Sequence, residues 1–481
     1  MVDTLVIGGG TAGCVLAARL SADPGHRVLL LEAGSGAVSA ELRDATRLPI
    51  GPEADWLWRY PVTLAAGVPG NIVRGKVLGG SGAINGGYFA RATAADFAAW
   101  SAGIGPTWAF DAVLPGYRRL ERDLDYGDSP EHGADGPIPV RRIANPAPIT
   151  REFAEAAAAA GFPLIPDLNA VAAPAIGLAP VPCSVDDGLR MDTGSAYLRP
   201  ALGRPNLVVQ DKTLVTRIRF RRDRAVGVDY RRGGATGTIA AGRIVVCAGA
   251  IESAALLLRS GIGDPERLRA LGITVVQALP VGERFSDHPE IGIEYRRDTT
   301  HTGRGGVAVE YVLALDDLEI RPYTVTFRPG VRMLGVALMR PRSAGTVRLR
   351  SADPAEPPLI EYRYLTATED RERLRAGVAV ADELLRKVPA VRVTARAPSG
   401  DGTAWAAWLL ANLGTSQHLS GTCRMGPADD ERAVVDARCG VYGLDGLSVV
   451  DLSVVPVPLS RGPQATVVLL AERAAEWLSR C

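Results

Sequence analysis

The side chain best suited to move a proton at neutral pH is His418. It lies in "TSQHLSGTCRMG", among small and polar residues, between a helical stretch and a glycine turn. An imidazole in that setting is not part of an apolar face, and its ordinary pKa makes it a natural general base. Of the five histidines, the others sit in less reactive surroundings. His288 in "ERFSDHPE" lies in a tight turn between Asp287 and Pro289, and reads as structural or as a neighbour of a bound cofactor. His132 in "SPEHGADGP" is a loop residue that could cover a site, and His26 and His301 read as solvent-facing. No H-E-x-x-H and no C-x-x-C occurs, so no metal is expected.

A second spacing points to binding. Gly8, Gly10 and Gly13 stand in the G-x-G-x-x-G pattern, between the apolar strand "VDTLVI" and the helical "CVLAARLS". One glycine permits the tight turn, one lets the backbone approach a pyrophosphate, and one lets helix and strand pack closely. The helix N-terminus offers unpaired N–H groups to the phosphates. A second strand, "RVLLLE", ends at Glu32, where a carboxylate can accept from an adenosine ribose and would repel a 2′-phosphate.

These groups need elements to hold them. The stretch 73–92, "VRGKVLGGSGAINGGYFARA", is too rich in glycine for a core element and reads as backbone lying against a ligand. Near Asn206 the pattern returns to strands, and "IVVCAGA" enters the helical "IESAALLLRSGIG" through Gly249, again as a buried strand feeding a helix at a ligand. Residues 291–410 alternate strands with the helices "DRERLRAGVAVADELLRKV" and "DGTAWAAWLLANLG". The expected fold is therefore an α/β Rossmann-like nucleotide domain with an α+β substrate domain built on a mixed or antiparallel sheet. The chain passes between them: 1–145, 206–290 and 411–481 belong to the nucleotide domain, 146–205 and 291–410 to the substrate domain. The segment from Trp108 to Arg122 and the Ala-rich 148–161 read as helices.

Composition removes other classes. The 54 basic and 53 acidic residues leave a formal charge of +1, which gives no case for nucleic acid. The Arg-rich 217–224 alternates like a strand pair with a hairpin turn. Six scattered cysteines suit a reducing compartment, and Cys14 and Cys247 read as small core residues. The first apolar run is needed as the nucleotide strand, so no signal peptide is expected and a cytoplasmic location follows. No run reaches the roughly 18 apolar residues of a membrane span; peripheral contact at the inner face of the plasma membrane stays open.

Several segments together resemble one family, the glucose–methanol–choline (GMC) oxidoreductases. They are "VIGGGTAGCVLAARL" with "LLLEAG", "GKVLGGSGAINGGYFARA", "CAGAIESAALLLRSGIG", "LPVGERFSDHP", "SQHLSGTCRMG" and "VVDLSVVP…GPQATVVLLAERAAEW", in the family's order over nearly the whole chain. The resemblance implies noncovalent FAD and oxidation of an alcohol, with a base taking the hydroxyl proton as hydride passes to the flavin. It implies His418 as the base. It implies that Gly8, Gly10, Thr11, Ala12, Gly13, Glu32, Ala33, Ala248 and Gly249 hold the nucleotide, with Val215 near the adenine. Gly79, Gly80, Ser81, Asn85 and Gly86 would follow the ribityl chain and ring, with Gly282, Asp287, Asp451, Gln464 and Ala465 completing the cofactor set. No histidine occupies 79–92, so covalent attachment there is not expected.

One position departs from the family pattern. A second His or Asn usually follows the "D-x-S-V-x-P" strand, and here that place holds Gly462 in "SRGPQAT". Its polar neighbours are Arg461 and Gln464, and Gln464 could donate to an alkoxide or to the flavin pyrimidine edge, which makes it a second catalytic candidate. "SGAINGGYF", "SQHLSG" and "SRGPQAT" are most similar to the mycofactocin-associated GMC dehydrogenases of actinobacteria. That resemblance implies reduced mycofactocin (mycofactocinol) as donor and electron flow toward the respiratory chain. The alternatives are a choline-like or aliphatic alcohol dehydrogenase or oxidase, and a flavin-binding protein without turnover.

Overall fold

The computed structural model describes residues 2–297, 305–327, 330–400 and 402–479. His301 lies outside the described residues. Strands Val2–Ile7 and Val28–Leu31 are short apolar runs that pair in parallel. The sheet extends to Leu207–Gln210 on one side, and to Ala235–Val246 and Leu447–Val449 on the other, all in parallel. Continuous Val/Leu/Ile runs of this kind suit a parallel sheet covered on both faces. The Arg-rich stretch forms the expected hairpin, Thr213–Arg221 with Arg224–Arg232, which continues the sheet in antiparallel sense.

The glycine spacing is explained by contact. Helix Thr11–Leu20 starts immediately after the first strand. A Cβ on Gly13 would lie 1.9 Å from the Gly8 carbonyl oxygen, so only hydrogen fits where the helix crosses the strand end. Gly8 itself has φ +98° and would place a Cβ 2.5 Å from the Cys247 oxygen.

The substrate domain is built on an antiparallel sheet of Ile176–Pro180, Tyr311–Leu315, Leu318–Pro322, Arg332–Leu338 and Pro289–Arg297. Leu374, Val378 and Leu385 of helix Thr368–Lys387 share one core with Ile293, Leu318 and Val336 of the sheet. Strand Leu413–Thr415, in the segment assigned to the nucleotide domain, instead pairs with Pro289–Arg297. A four-stranded sheet joins Leu57–Ala65 and Val68–Gly75 to Thr346–Arg348 and Leu359–Glu361, so residues of both assigned domains share it.

Two local expectations need correction. The helix expected from Trp108 to Arg122 is Phe110–Leu120, and Glu121–Asp123 leaves it to pair with Ile138–Val140. His132 covers no site: its ring is buried among Glu121, Asp123 and Asp167. Burial alone would lower its pKa, but its hydrogen bonds to these carboxylates outweigh that and push it up to about 10. Glu121, Asp123 and His132 present ligand atoms within 4.8 Å of one another. A protonated imidazolium has no lone pair to give, however, and Arg91 and Arg142 already engage the two carboxylates.

Gly13→Ala is expected to force the helix off the strand. Overpacking of this kind costs about 1–3 kcal/mol. Thermal unfolding should report the loss, and the purified variant should carry less cofactor than wild type.

Candidate active site

A cavity of about 610 Å³ lies between the two domains. Gly8, Gly10, Thr11, Ala12, Glu32, Ala33, Val215, Ala248, Gly249 and Asp451 line it from the nucleotide domain, and Gly80, Ser81, Asn85 and Gly86 from the glycine-rich stretch. His418, Gly462 and Gln464 line it together with Glu290, Arg321 and Tyr323 of the substrate sheet.

The nucleotide part fits FAD. Helix Thr11–Leu20 begins at Gly10 with no side-chain cap and no acidic residue in its first turn. Its first N–H groups thus have no side-chain acceptor, as a pyrophosphate site requires. A Cβ on Gly80 would lie 2.6 Å from the Gly10 Cα, so two backbones meet there with no side chain between them. The buried Glu32 carboxylate accepts from the N–H groups of Gly9 and Gly34, both at 2.7 Å. Burial pushes its pKa up to about 7. Glu32 therefore braces the glycine turn, and its remaining lone pairs can accept from a ribose.

Five expected cofactor residues do not line the cavity. Gly13 packs helix on strand, as described above. Gly79 turns toward Asp192, with a Cβ position 2.3 Å from its Oδ1. Ala465 is fully buried in helix Gln464–Leu478. Asp287 is buried behind the wall, where its Oδ1 accepts from the backbone N–H groups of His288 at 2.6 Å and His418 at 2.7 Å. Gly282 is also off the wall, closed in by the Val347 carbonyl at 2.2 Å from its Cβ position.

His418 follows Gln417, whose φ of +62° turns the chain sharply. The Gln417 side chain accepts from the Val73 N–H at 3.0 Å, which anchors that turn to the strand before the glycine-rich stretch. His418 Nδ1 lies 2.9 Å from Nδ1 of His288, with the rings nearly perpendicular at 81°. His288 is 3% exposed, whereas His418 faces the cavity. Burial, then the charges of His288, Arg321 and Arg74, hold the His418 pKa well below the usual histidine value. Burial and Arg321 push His288 down to about 3. Both rings are neutral at neutral pH, and His418 has the form a base needs.

A buried charge network lies beside the pair. Arg321 binds Glu290 at 3.0 Å and Glu319 at 2.7 Å. Glu290 also accepts from Ser416 Oγ at 2.6 Å and Tyr323 OH at 2.8 Å. Tyr88 OH donates to Glu319 at 2.9 Å, and Arg461 lies 3.6 Å from the same carboxylate. Arg461 is thus turned into this network. Gln464 accepts from Thr11 Oγ1 at 3.3 Å, toward the pyrophosphate helix, and makes no hydrogen bond to His418. Gly462 packs under Tyr88: a Cβ there would lie 2.9 Å from the ring.

Sequence reasoning underrated His288 and missed Glu290, Arg321, Tyr88 and Tyr323. One signal existed for the first acid. On strand Pro289–Arg297 the alternate residues Glu290, Gly292 and Glu294 line the cavity, the two-residue period of one sheet face.

The fold and site define a class, an FAD-dependent oxidoreductase with an imidazole set into the wall of its cofactor cavity. The family models described as GMC oxidoreductase match residues 2–290 and 341–471, and the chain belongs to this family. It is 45% identical over 492 residues to an uncharacterized GMC-type oxidoreductase in the thcA 5′ region of Rhodococcus erythropolis, covering 99% of this chain and 98% of that protein. It is 32% identical over 530 residues to mitochondrial choline dehydrogenase of Homo sapiens, covering 98% and 89%. The crystal structure of pyridoxine 4-oxidase from Mesorbium loti superposes with a TM-score of 0.92 at 28% identity over 99% of each chain. The family is one of oxidoreductases, and the chain is an enzyme of that kind. Among the described residues no helix is long and apolar enough to cross a membrane.

With its pKa lowered, His418 stays unprotonated as the pH falls through the usual histidine range. The acid limb of kcat/KM should therefore lie below pH 6.5, the ordinary value. A pH profile with saturating acceptor checks this.

Proposed function

We propose that this protein dehydrogenates a flat hydroxyl-bearing donor without a cationic head group, with His418 taking the hydroxyl proton at Nε2. The observation that carries the reading is the neutral His418 ring on the cavity wall, hydrogen-bonded from behind through Nδ1. Bound FAD supplies the acceptor for the hydride that leaves the donor carbon. The chain's part is to hold the donor C–H and O–H in place and to take the proton. Gly8, Gly10, Thr11 and Glu32 would bind the nucleotide, and Gly80, Ser81 and Asn85 the ribityl and ring portion. Gln464 and Asp451 would support it from the opposite wall.

Two features bear on the donor. Gly462 brings no polar side chain to the cavity, and the Tyr88 ring fills the place where one would stand, so the wall offers an aromatic face there, which favours a flat partner over a small alcohol. The likeness to the mycofactocin-associated subgroup supports reduced mycofactocin as that donor, with electrons passed toward the respiratory chain from a cytoplasmic or peripherally membrane-bound enzyme. A choline-like donor is the second reading, favoured by the choline dehydrogenase relatives. Against it, both oxygens of Glu290 are engaged by Arg321, Ser416 and Tyr323, so this carboxylate is not open to a quaternary ammonium.

Anaerobic mixing of the FAD-loaded protein with reduced mycofactocin should bleach the flavin, while choline and small aliphatic alcohols should act at least about tenfold more slowly. Rapid bleaching by simple alcohols alone would remove the mycofactocin reading. His418→Ala should slow reduction by about 10²–10⁴-fold, the usual contribution of a positioned base, with FAD retained. Gly462→Asn must displace Tyr88 and should shift preference toward small alcohols.

A further inference from the structure

We propose that His288 is a positioning residue that sets the tautomer of His418, so that the bare Nε2 of His418 meets the donor. The proposal rests on His418 being the base. Two facing Nδ1 atoms 2.9 Å apart can share only one proton, so one ring donates and the other accepts. The role of His418 as the base decides which: with Nδ1 taken up by His288, only Nε2 can meet the donor, and a base must present it bare. His288 then carries its own proton on Nε2 and accepts at Nδ1. The shared proton then belongs to His418 Nδ1. In a neutral ring this leaves His418 Nε2 without a proton.

The reverse arrangement would make the same wall inert. With its proton on Nε2, His418 could only donate to a hydroxyl oxygen. The single buried ring of His288 therefore links two parts of the chain to the reaction: the turn at Asp287 and the His418 segment. When the donor O–H bond breaks, its proton forms a new N–H bond at His418 Nε2. The imidazolium keeps its Nδ1–H bond to His288, now charge-assisted and stronger. The charged groups facing the pair are Arg321, with its partners Glu290 and Glu319, and the side chains of Arg74 and Asp287.

The test has a spectroscopic arm and a kinetic arm. In FAD-loaded protein with ¹⁵N-labelled histidine, the His418 signals should show Nδ1 protonated and Nε2 bare; five histidines make assignment practicable. A proton on Nε2 overturns the proposal. His288→Ala should lower the flavin-reduction rate about 10- to 100-fold, as loss of a supporting hydrogen-bond partner commonly does, with FAD content and donor KM unchanged. His288→Asn should recover much of the rate, because its amide oxygen can accept from Nδ1–H. Equal losses in both variants, or an effect confined to KM, overturn the proposal. A His418→Ala variant that still reduces its flavin would remove the base assignment itself. An inactive His418→Ala beside a fully active His288→Ala would remove only the tautomer role.

Discussion

Both histidines hang from one buried carboxylate. Asp287 Oδ1 accepts the backbone N–H of the residue after it and that of His418, 131 positions along the chain. A return bond runs from the Ser416 N–H to the His288 carbonyl at 3.0 Å. Strand Pro289–Arg297 leaves from one side of this joint, and strand Leu413–Thr415 arrives at the other, with Pro289 opposite Thr415. The pairing register thus delivers two imidazoles to one spot on the cavity wall. A buried carboxylate normally costs free energy. Burial pushes Asp287 up to about 6, while Arg74 and the two amides act in the opposite direction. Those amides give the charged form a reason to persist in the core.

The rest of the site follows from keeping those rings neutral. His288 has almost no contact with solvent, and Arg321 adds an unfavourable charge to any protonated state. Arg321 is tolerable there because Glu290 and Glu319 face it, and their remaining lone pairs are taken by Ser416, Tyr323 and Tyr88. The network occupies its own carboxylates, which makes the wall beside His418 polar but not anionic. Tyr88 serves twice: its hydroxyl satisfies Glu319 and its ring covers Gly462.

Much of the nucleotide half was legible because its signals are local. A strand, three glycines, a helix and Glu32 stand within 32 residues, and backbone contact alone explains Gly8 and Gly13. His418 was legible from its small polar neighbours. What escaped was everything made by long-range pairing. His288 looked like a turn residue, since nothing near it in sequence shows that the chain returns 130 residues later. Asp287 was read as a cofactor residue for the same reason: a carboxylate beside a ligand and one beneath a catalytic turn look alike in sequence. Arg321 and Glu319 read as ordinary strand residues until the sheet placed them across from Glu290.

The central claim is that Asp287 holds His418 and its partner His288 in place without helping to bind FAD. Stopped-flow measurement of flavin reduction by donor in Asp287→Ala tests it most directly. The account predicts a variant that purifies with its FAD, because Asp287 does not line the cavity, yet is bleached far more slowly than wild type. An FAD-loaded variant bleached at the wild-type rate would contradict it.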